Sequence, residues 1–215
     1  MKLRWRFAQF FEFRWWKKYL MGKTPVAYLD WKKRYWQQFL EHAEITMKPG
    51  AALLDAGCGP AGIFILLHNQ SFEIDAVDPL IDQYDRHLPV FNKKDYPAVR
   101  FWNVPIEQFT AEKKYDFVFC LNAINHVADL SVSLDGLAGL TKSGGYLLLS
   151  VDAHNYTLLK RFFRYLPGDV LHPHQHSLRE YIQMLQKRDF NLVRTILIKR
   201  ARIFSYYLLV ATREI

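Results

Sequence analysis

The stretch Leu53-Leu54-Asp55-Ala56-Gly57-Cys58-Gly59-Pro60-Ala61-Gly62 decides how this chain is read. A short apolar run ends in an acid and opens into glycines, and Gly62–Asn69 then reads as a helix. Glycines let the backbone turn tightly and approach a ligand closely, and the start of the following helix offers free N–H donors. The next strand, Phe72–Val77, ends at Asp78-Pro79. Asp78 stands 21 residues beyond Gly57, where a carboxylate can accept hydrogen bonds from ribose hydroxyls. Gly57, Gly59 and Gly62 fit the pattern G-x-G-x-x-G of nucleotide-binding strand–turn–helix units. The plainer alternative is a tight turn with no ligand.

Beyond the loop, strands and helices alternate. Ala98–Trp102 and Tyr115–Cys120 read as the third and fourth strands, Leu130–Leu140 as a helix, and Tyr146–Val151, after Gly144-Gly145, as the fifth strand. Ser177–Lys187 reads as a helix, and Leu192–Ile198 and Ile203–Ala211 as two last strands. Such alternation implies βαβ units on a parallel sheet, and near-continuous apolar strands imply a sheet covered on both faces. The link between the last two strands is too short for a crossover, so they pair antiparallel. The expected fold is an α/β domain with a seven-stranded, mostly parallel sheet, a C-terminal antiparallel hairpin and helices on both faces.

Upstream lies a different kind of sequence. Residues 1–40 carry 10 Lys and Arg against two acids, Glu12 and Asp30, which leaves 19 basic and 19 acidic residues in the rest of the 215. The whole net charge of +8 therefore sits in this arm. Leu3, Phe7, Phe10, Phe11 and Trp15 share one broad side of a helix, while Trp5, Phe13, Trp16 and Leu20 fall elsewhere, so residues 1–20 form no clean amphipathic pattern. Gly22–Pro25 breaks the chain, and residues 26–43 return to helical spacing. The expected division is an aromatic and basic helical arm over 1–44 and a main domain over 45–215. A basic arm suits nucleic acid, an anionic membrane surface or an acidic substrate, or is simply a solvated face. No apolar run is long enough to span a bilayer, and no secretion signal is apparent. The two cysteines, Cys58 and Cys120, lie in segments expected to be interior or ligand-binding, which argues for a reducing, cytoplasmic setting.

Two details bear on the ligand of the glycine loop. Asp55 places a negative charge beside the glycines, which suits the ammonium of a methionine moiety and opposes a pyrophosphate. The terminal hairpin also departs from a dinucleotide fold, which would continue in parallel βα units. The segments Asp55–Gly62, Ala76–Pro79, Tyr115–Cys120 and Gly144–Leu149 together resemble the class I S-adenosylmethionine-dependent methyltransferases over roughly residues 45–215, with their Rossmann-like sheet. The resemblance implies S-adenosylmethionine as cofactor, held by Asp55, Gly57, Cys58, Gly59, Asp78 and Pro79. It places Asn103, with Val104, where the family often has an Asp facing adenine; an amide carbonyl there can still accept from the adenine amino group. It sets Leu121 and Asn122 beside the cofactor.

The methyl acceptor is expected at the carboxyl ends of the strands. Asn125 and His126 follow the fourth strand, and Asp152 and His154 follow the fifth. His126 and His154 are the candidate bases, because a neutral imidazole accepts a proton near neutral pH. Asn125, His126, His154, His172 and His174 are assigned to the acceptor, with Tyr19 and Tyr28 from the arm. His172, His174 and His176 alternate along the chain and with Asp152 invite a metal, but Pro173 and the following helix start favour an irregular loop, so no metal is expected. Leu121-Asn122-Ala123-Ile124 lacks the Asn/Asp-Pro-Pro-aromatic run of base-amino methylating enzymes, and neither cysteine follows a proline.

The favoured expectation is a methyltransferase for a small apolar or aromatic acceptor, with the arm folding over the site. Alternatives are an RNA methyltransferase, a membrane-associated lipid or quinone methyltransferase touching the membrane through the arm, and a non-catalytic S-adenosylmethionine-binding module. Another reaction on the same cofactor also remains open. The sequence carries no signal of oligomeric state.

Overall fold

The computed structural model describes residues 3–155 and 176–215. Two helices, α1 (Leu3–Leu20) and α2 (Pro25–Ala43), precede the sheet. Pro25 stands in the first turn of α2, where its missing N–H costs nothing, and Glu44 ends that helix in the left-handed region. Then come β1 (Ala52–Ala56), the single-turn α3 (Phe64–Leu67), β2 (Glu73–Val77), α4 (Ile81–His87), β3 (Val99–Trp102) and β4 (Tyr115–Cys120). The chain continues through α5 (Leu130–Leu140), β5 (Thr141–His154), α6 (Leu178–Gln186), β6 (Phe190–Lys199) and β7 (Phe204–Arg213). Asp129 caps α5 by accepting from the Val132 N–H, and Ser177 with Glu180 forms a reciprocal capping box on α6.

The seven strands lie in the order β3-β2-β1-β4-β5-β7-β6. β1 to β5 run parallel, and β7 inserts antiparallel between β5 and β6. The fold is thus the mostly parallel sheet with a closing hairpin that the sequence predicts. One layer of core packs Leu53, Phe117, Phe119 and Leu148 with residues of α2, α3 and α4. The other packs Leu54, Val118, Cys120, Leu147 and Leu149 with α5 and α6. Strand order reverses between β1 and β4, so the carboxyl ends of these two strands diverge and leave a crevice.

Several elements differ from the sequence reading. The helix expected over Gly62–Asn69 shrinks to α3, because Gly62, extended after the 3-10 turn at Gly59–Ala61, delays its start to Phe64. α4 was not expected, although Ile81, Tyr84 and Leu88 are buried at three- and four-residue steps. The fifth strand is far longer than Tyr146–Val151, since β7 pairs with it from Tyr146 to His154. In the arm, which the sequence already reads as helical, Leu3–Leu20 forms one unbroken helix despite its mixed apolar pattern.

A polar knot ties β2 to its neighbours. Asp75 is 1% exposed, yet it accepts from Arg100 Nε and Nη2, Trp102 Nε1 and Tyr115 Oη at 2.8–3.0 Å, with Lys113 Nζ at 3.1 Å. Burial alone would raise its pKa, but the hydrogen bonds from Arg100, Trp102 and Lys113 outweigh it and hold the carboxyl below its ordinary range. Its stabilisation is therefore present above the ordinary value of 3.8 and lost as pH falls through the lower folded value. Asp75→Ala is expected to cost about 1–3 kcal/mol at pH 7 by leaving the buried Tyr115 hydroxyl without its acceptor. Urea unfolding at pH 7 and pH 3 checks this, and the deficit of the variant should shrink at the acid end.

Candidate functional site

The glycine loop is shaped by a carboxylate at the end of β1. Asp55 is buried, and its Oδ2 accepts from the Phe64 N–H at 3.1 Å, fastening the start of α3. A methyl group on Gly62 would stand 2.3 Å from that oxygen and 2.6 Å from the Cys58 carbonyl, so only glycine fits. The N–H groups of Gly57 and Cys58 both donate to the Val77 carbonyl, at 2.7 and 3.1 Å, which folds the loop against the end of β2. Gly57 has φ of 72°, and a side chain there would strike Ala123 Cβ. Burial pushes Asp55 up to about 7.

Asp78 follows β2. Its Oδ1 accepts from the Leu80 N–H at 2.8 Å and its Oδ2 from the Gly59 N–H at 3.0 Å. Burial raises it to about 6, against those two backbone donors. Beyond β4, Asn122 takes a positive φ of 57°, and its N–H donates to Ser150 Oγ at 2.7 Å. Asn125 Nδ2 donates to Tyr181 Oη at 3.1 Å and to the Asp152 carbonyl at 3.3 Å, and its Oδ1 accepts from the Asp152 N–H at 3.2 Å. These bonds pin the segment that carries His126.

A cleft opens between the two loops. Gly57, Cys58, Gly59, Asp78, Pro79, Leu121, Asn122 and His126 border it, so eight of the residues singled out from sequence meet there. Asp55, Asn103, Val104, Asn125, His154, Tyr19 and Tyr28 are not among its walls. Asp55 is turned to the loop's own amide, and Asn103 Oδ1 accepts from the Asp82 N–H at 3.1 Å. His154 is buried at the end of β5, edge-on to Phe204, and its N–H donates to the His176 carbonyl. Tyr19 and Tyr28 pack edge-to-face at 6.1 Å within the helical arm. His172 and His174 lie outside the described residues. Among the described residues, no group of three or more His, Cys, Asp or Glu stands close enough to hold a metal ion.

The wall that the sequence did not disclose comes mainly from the arm. Gln9, Glu12 and Trp16 of α1 and Lys32 and Trp36 of α2 all border the cleft, as do Pro105, Ile106 and Glu107. Trp36 Nε1 donates to the Ala61 carbonyl at 3.0 Å, which fixes α2 on the glycine loop. Lys32 Nζ sits 4.1 Å from the Trp36 ring and 4.6 Å from the Tyr35 ring. Burial lowers it to about 8, partly offset by Asp55. Burial, and then the Asp78 carboxylate, push Glu12 up to about 8. Glu12 is the only acid before Asp30, and that lone acid was the signal available in the sequence.

The donor set has a definite chemistry. Glu12 and Asp78 can accept from hydroxyl or ammonium groups, as can the Glu107 oxygen not taken by the Ala128 and Asp129 N–H groups; Lys32 can pair with a carboxylate, and Pro79, Pro105, Ile106 and Leu121 can face a flat ring. A ligand with a ribose, an amino acid end and a base fits this set. A pyrophosphate would meet carboxylates instead of donors. The open space is about 110 Å³, against ~300 Å³ for the smallest ligand pockets. A methyl on Gly59 would meet Trp16 Cζ2 at 3.5 Å, so Trp16 lies over the loop. A nucleoside-sized ligand therefore requires Trp16 or α1 to give way.

Comparison with known proteins decides the family. A model described as a methyltransferase domain matches residues 28–195. The chain belongs to the class I S-adenosylmethionine-dependent methyltransferases. Its methyl donor is S-adenosylmethionine. The ubiquinone biosynthesis O-methyltransferase of Rickettsia felis is 31% identical over 98 residues, 46% of this methyltransferase and 40% of that protein. The methyltransferase thus spans about two-fifths of the length of the curated relatives it matches. Magnesium protoporphyrin IX methyltransferase from Synechocystis PCC 6803, solved with bound SAH, superposes with a TM-score of 0.58 at 22% identity, over 88% of this chain and 84% of that one. A 1,6-didemethyltoxoflavin-N1-methyltransferase from Burkholderia thailandensis superposes at 0.63 with 15% identity, over 99% and 88%. No described helix is long and apolar enough to cross a membrane.

Two variants test the site's construction. Gly62→Ala is expected to cost about 1–3 kcal/mol of stability by forcing the Asp55 contact apart, read by urea unfolding. Glu12 carries a raised pKa, so its cost to the docked arm is absent at low pH and grows as pH rises from 4.5 toward about 8. Glu12→Gln should raise the thermal midpoint at about pH 8 by about 2–4 °C and flatten its fall with pH. Calorimetry across that range checks it.

Proposed function

We propose that this methyltransferase acts on a small, apolar or aromatic acceptor, with His126 as the base that removes the acceptor's proton. One observation carries the reading: His126 borders the same cleft as the glycine loop and Asp78. His154, the other candidate base, does not border it. The likeness to a ubiquinone biosynthesis O-methyltransferase, a magnesium protoporphyrin IX methyltransferase and a 1,6-didemethyltoxoflavin-N1-methyltransferase favours a ring-bearing acceptor.

Asp78 accepts the ribose hydroxyls, and Glu12 faces the same part of the cleft from α1. Lys32 pairs with the methionine carboxylate, and the apolar wall at Pro79, Pro105, Ile106 and Leu121 takes the adenine. Bound there, S-adenosylmethionine supplies an electrophilic methyl carbon. His126 orients the acceptor's hydroxyl or amine and holds the proton that leaves it. Trp16 and the arm exclude water from the reacting centre.

Asp78→Ala is expected to weaken S-adenosylmethionine binding by roughly 1–3 kcal/mol. His126→Gln should leave that affinity within a few-fold and lower turnover about 10²–10⁴-fold. Labelled-methyl transfer to a panel of phenolic and catecholic acceptors reads both. Cofactor binding without transfer to any acceptor would favour a binding module that acts through its arm. Full turnover in His126→Gln would remove His126 from the mechanism.

A further inference from the structure

Helix α1 has two faces with different surroundings. On the inner side, Gln9, Glu12 and Trp16 border the cleft, Phe13 packs against Tyr84 and His87, and Leu20 is buried. On the outer side, Phe7, Phe10, Phe11 and Trp15 are 55%, 54%, 53% and 48% exposed. Steps of three and four residues line them along one flank, and the exposed Arg14, Lys17 and Lys18 are interleaved with them. A surface helix ordinarily turns its apolar side inward and mixes both signs of charge outward. Here the single acid of α1, Glu12, faces in, while aromatic rings and cations face out.

The patch does not end at Trp15. That ring stacks on Tyr19 at 4.8 Å, Tyr19 meets Tyr28 at 6.1 Å, and Tyr28 meets Trp31 at 5.9 Å, itself 46% exposed. Lys23 Nζ sits 3.2 Å from the Tyr19 ring and Arg14 5.6 Å from the Phe10 ring. Tyr28 itself is buried, so the exposed rings are Phe7, Phe10, Phe11 and Trp15 on α1 with Trp31 beyond it, and such a cluster marks an interaction site. Its charge names the partner, because the whole positive excess of the chain lies within residues 1–40.

We propose that the outer face of α1 seats on an anionic lipid surface. The phenylalanine and tryptophan rings enter the headgroup–acyl boundary, and Arg14, Lys17 and Lys18 lie on lipid phosphates. The rings follow one convex helix flank, which suits a planar interface. A single-stranded nucleic acid would instead need a groove that tracks its backbone. The surface would bring the cleft, closed by the other face of the same helix, next to the lipid.

Flotation of the full chain with vesicles tests this. Wild type should float with phosphatidylcholine vesicles containing about 30% phosphatidylglycerol, and about tenfold less with phosphatidylcholine alone or at raised salt. The triple variant Phe7→Ser, Phe10→Ser, Phe11→Ser should lose association at least about tenfold while keeping its thermal midpoint and cofactor affinity. Arg14→Gln, Lys17→Gln, Lys18→Gln changes only exposed charges, and it should weaken the anionic-vesicle association by a similar factor. Absence of wild-type association with either vesicle overturns the proposal, as does undiminished association in both variants. Binding of a single-stranded RNA oligonucleotide, lost in the variants, with no vesicle association, would assign the face to nucleic acid. None of these readouts involves methyl transfer, so their failure leaves the proposed activity standing.

Discussion

A carboxylate buried at the end of β1 organises the loop on which the site is built. Asp55 holds the Phe64 N–H and leaves no room for a side chain at Gly62, so the chain must turn where it does. The loop then lies against the end of β2 through the Val77 carbonyl, and Asp78 reaches back to the Gly59 N–H. The cost is visible in Asp55 itself, which burial pushes up to about 7. The fold tolerates that cost because the loop's own amides satisfy the oxygens. Asp55 therefore acts as a structural acceptor, while Glu12, Asp78 and Glu107 border the cleft.

The second consequence is that the cleft is a joint product of the sheet and the arm. Trp36 bonds to the Ala61 carbonyl, Trp16 lies over Gly59, and Glu12 comes close enough to Asp78 that the Asp78 charge helps to raise its pKa. The arm both supplies polar groups and occupies space, which accounts for a cleft of only about 110 Å³. Cofactor entry and the position of α1 are linked by this geometry. The inner face of α1 borders the cleft, and its outer face is exposed.

The sheet was legible in the sequence because its strands are apolar runs bounded by glycine and acid signals, and because the short link before Phe204 permits only a hairpin. The residues of the glycine loop, Asp78, Leu121, Asn122 and His126 could be placed together because topology alone sends them to one crevice. Gln9, Glu12, Trp16, Lys32 and Trp36 could not be. Their role depends on how two helices fold back over a distant loop, and side-chain periodicity does not encode that. The mixed pattern of residues 1–20 does not tell which rings are covered: Phe13, Trp16 and Leu20 pack inward, while Phe7, Phe10 and Phe11 stay exposed. α4 escaped because Pro79 and Pro89 flank a short stretch of polar residues, although Ile81, Tyr84 and Leu88 kept its spacing.

As proposed, the glycine loop, Asp78 and the arm form a site for S-adenosylmethionine and not for a dinucleotide. Isothermal titration of the whole chain with S-adenosylmethionine, and separately with NAD, tests it most directly. Binding of the first at about micromolar affinity is expected, with no heat from the second, whose pyrophosphate would face Glu12, Asp78 and Glu107. Binding of NAD, or of neither ligand, would contradict it.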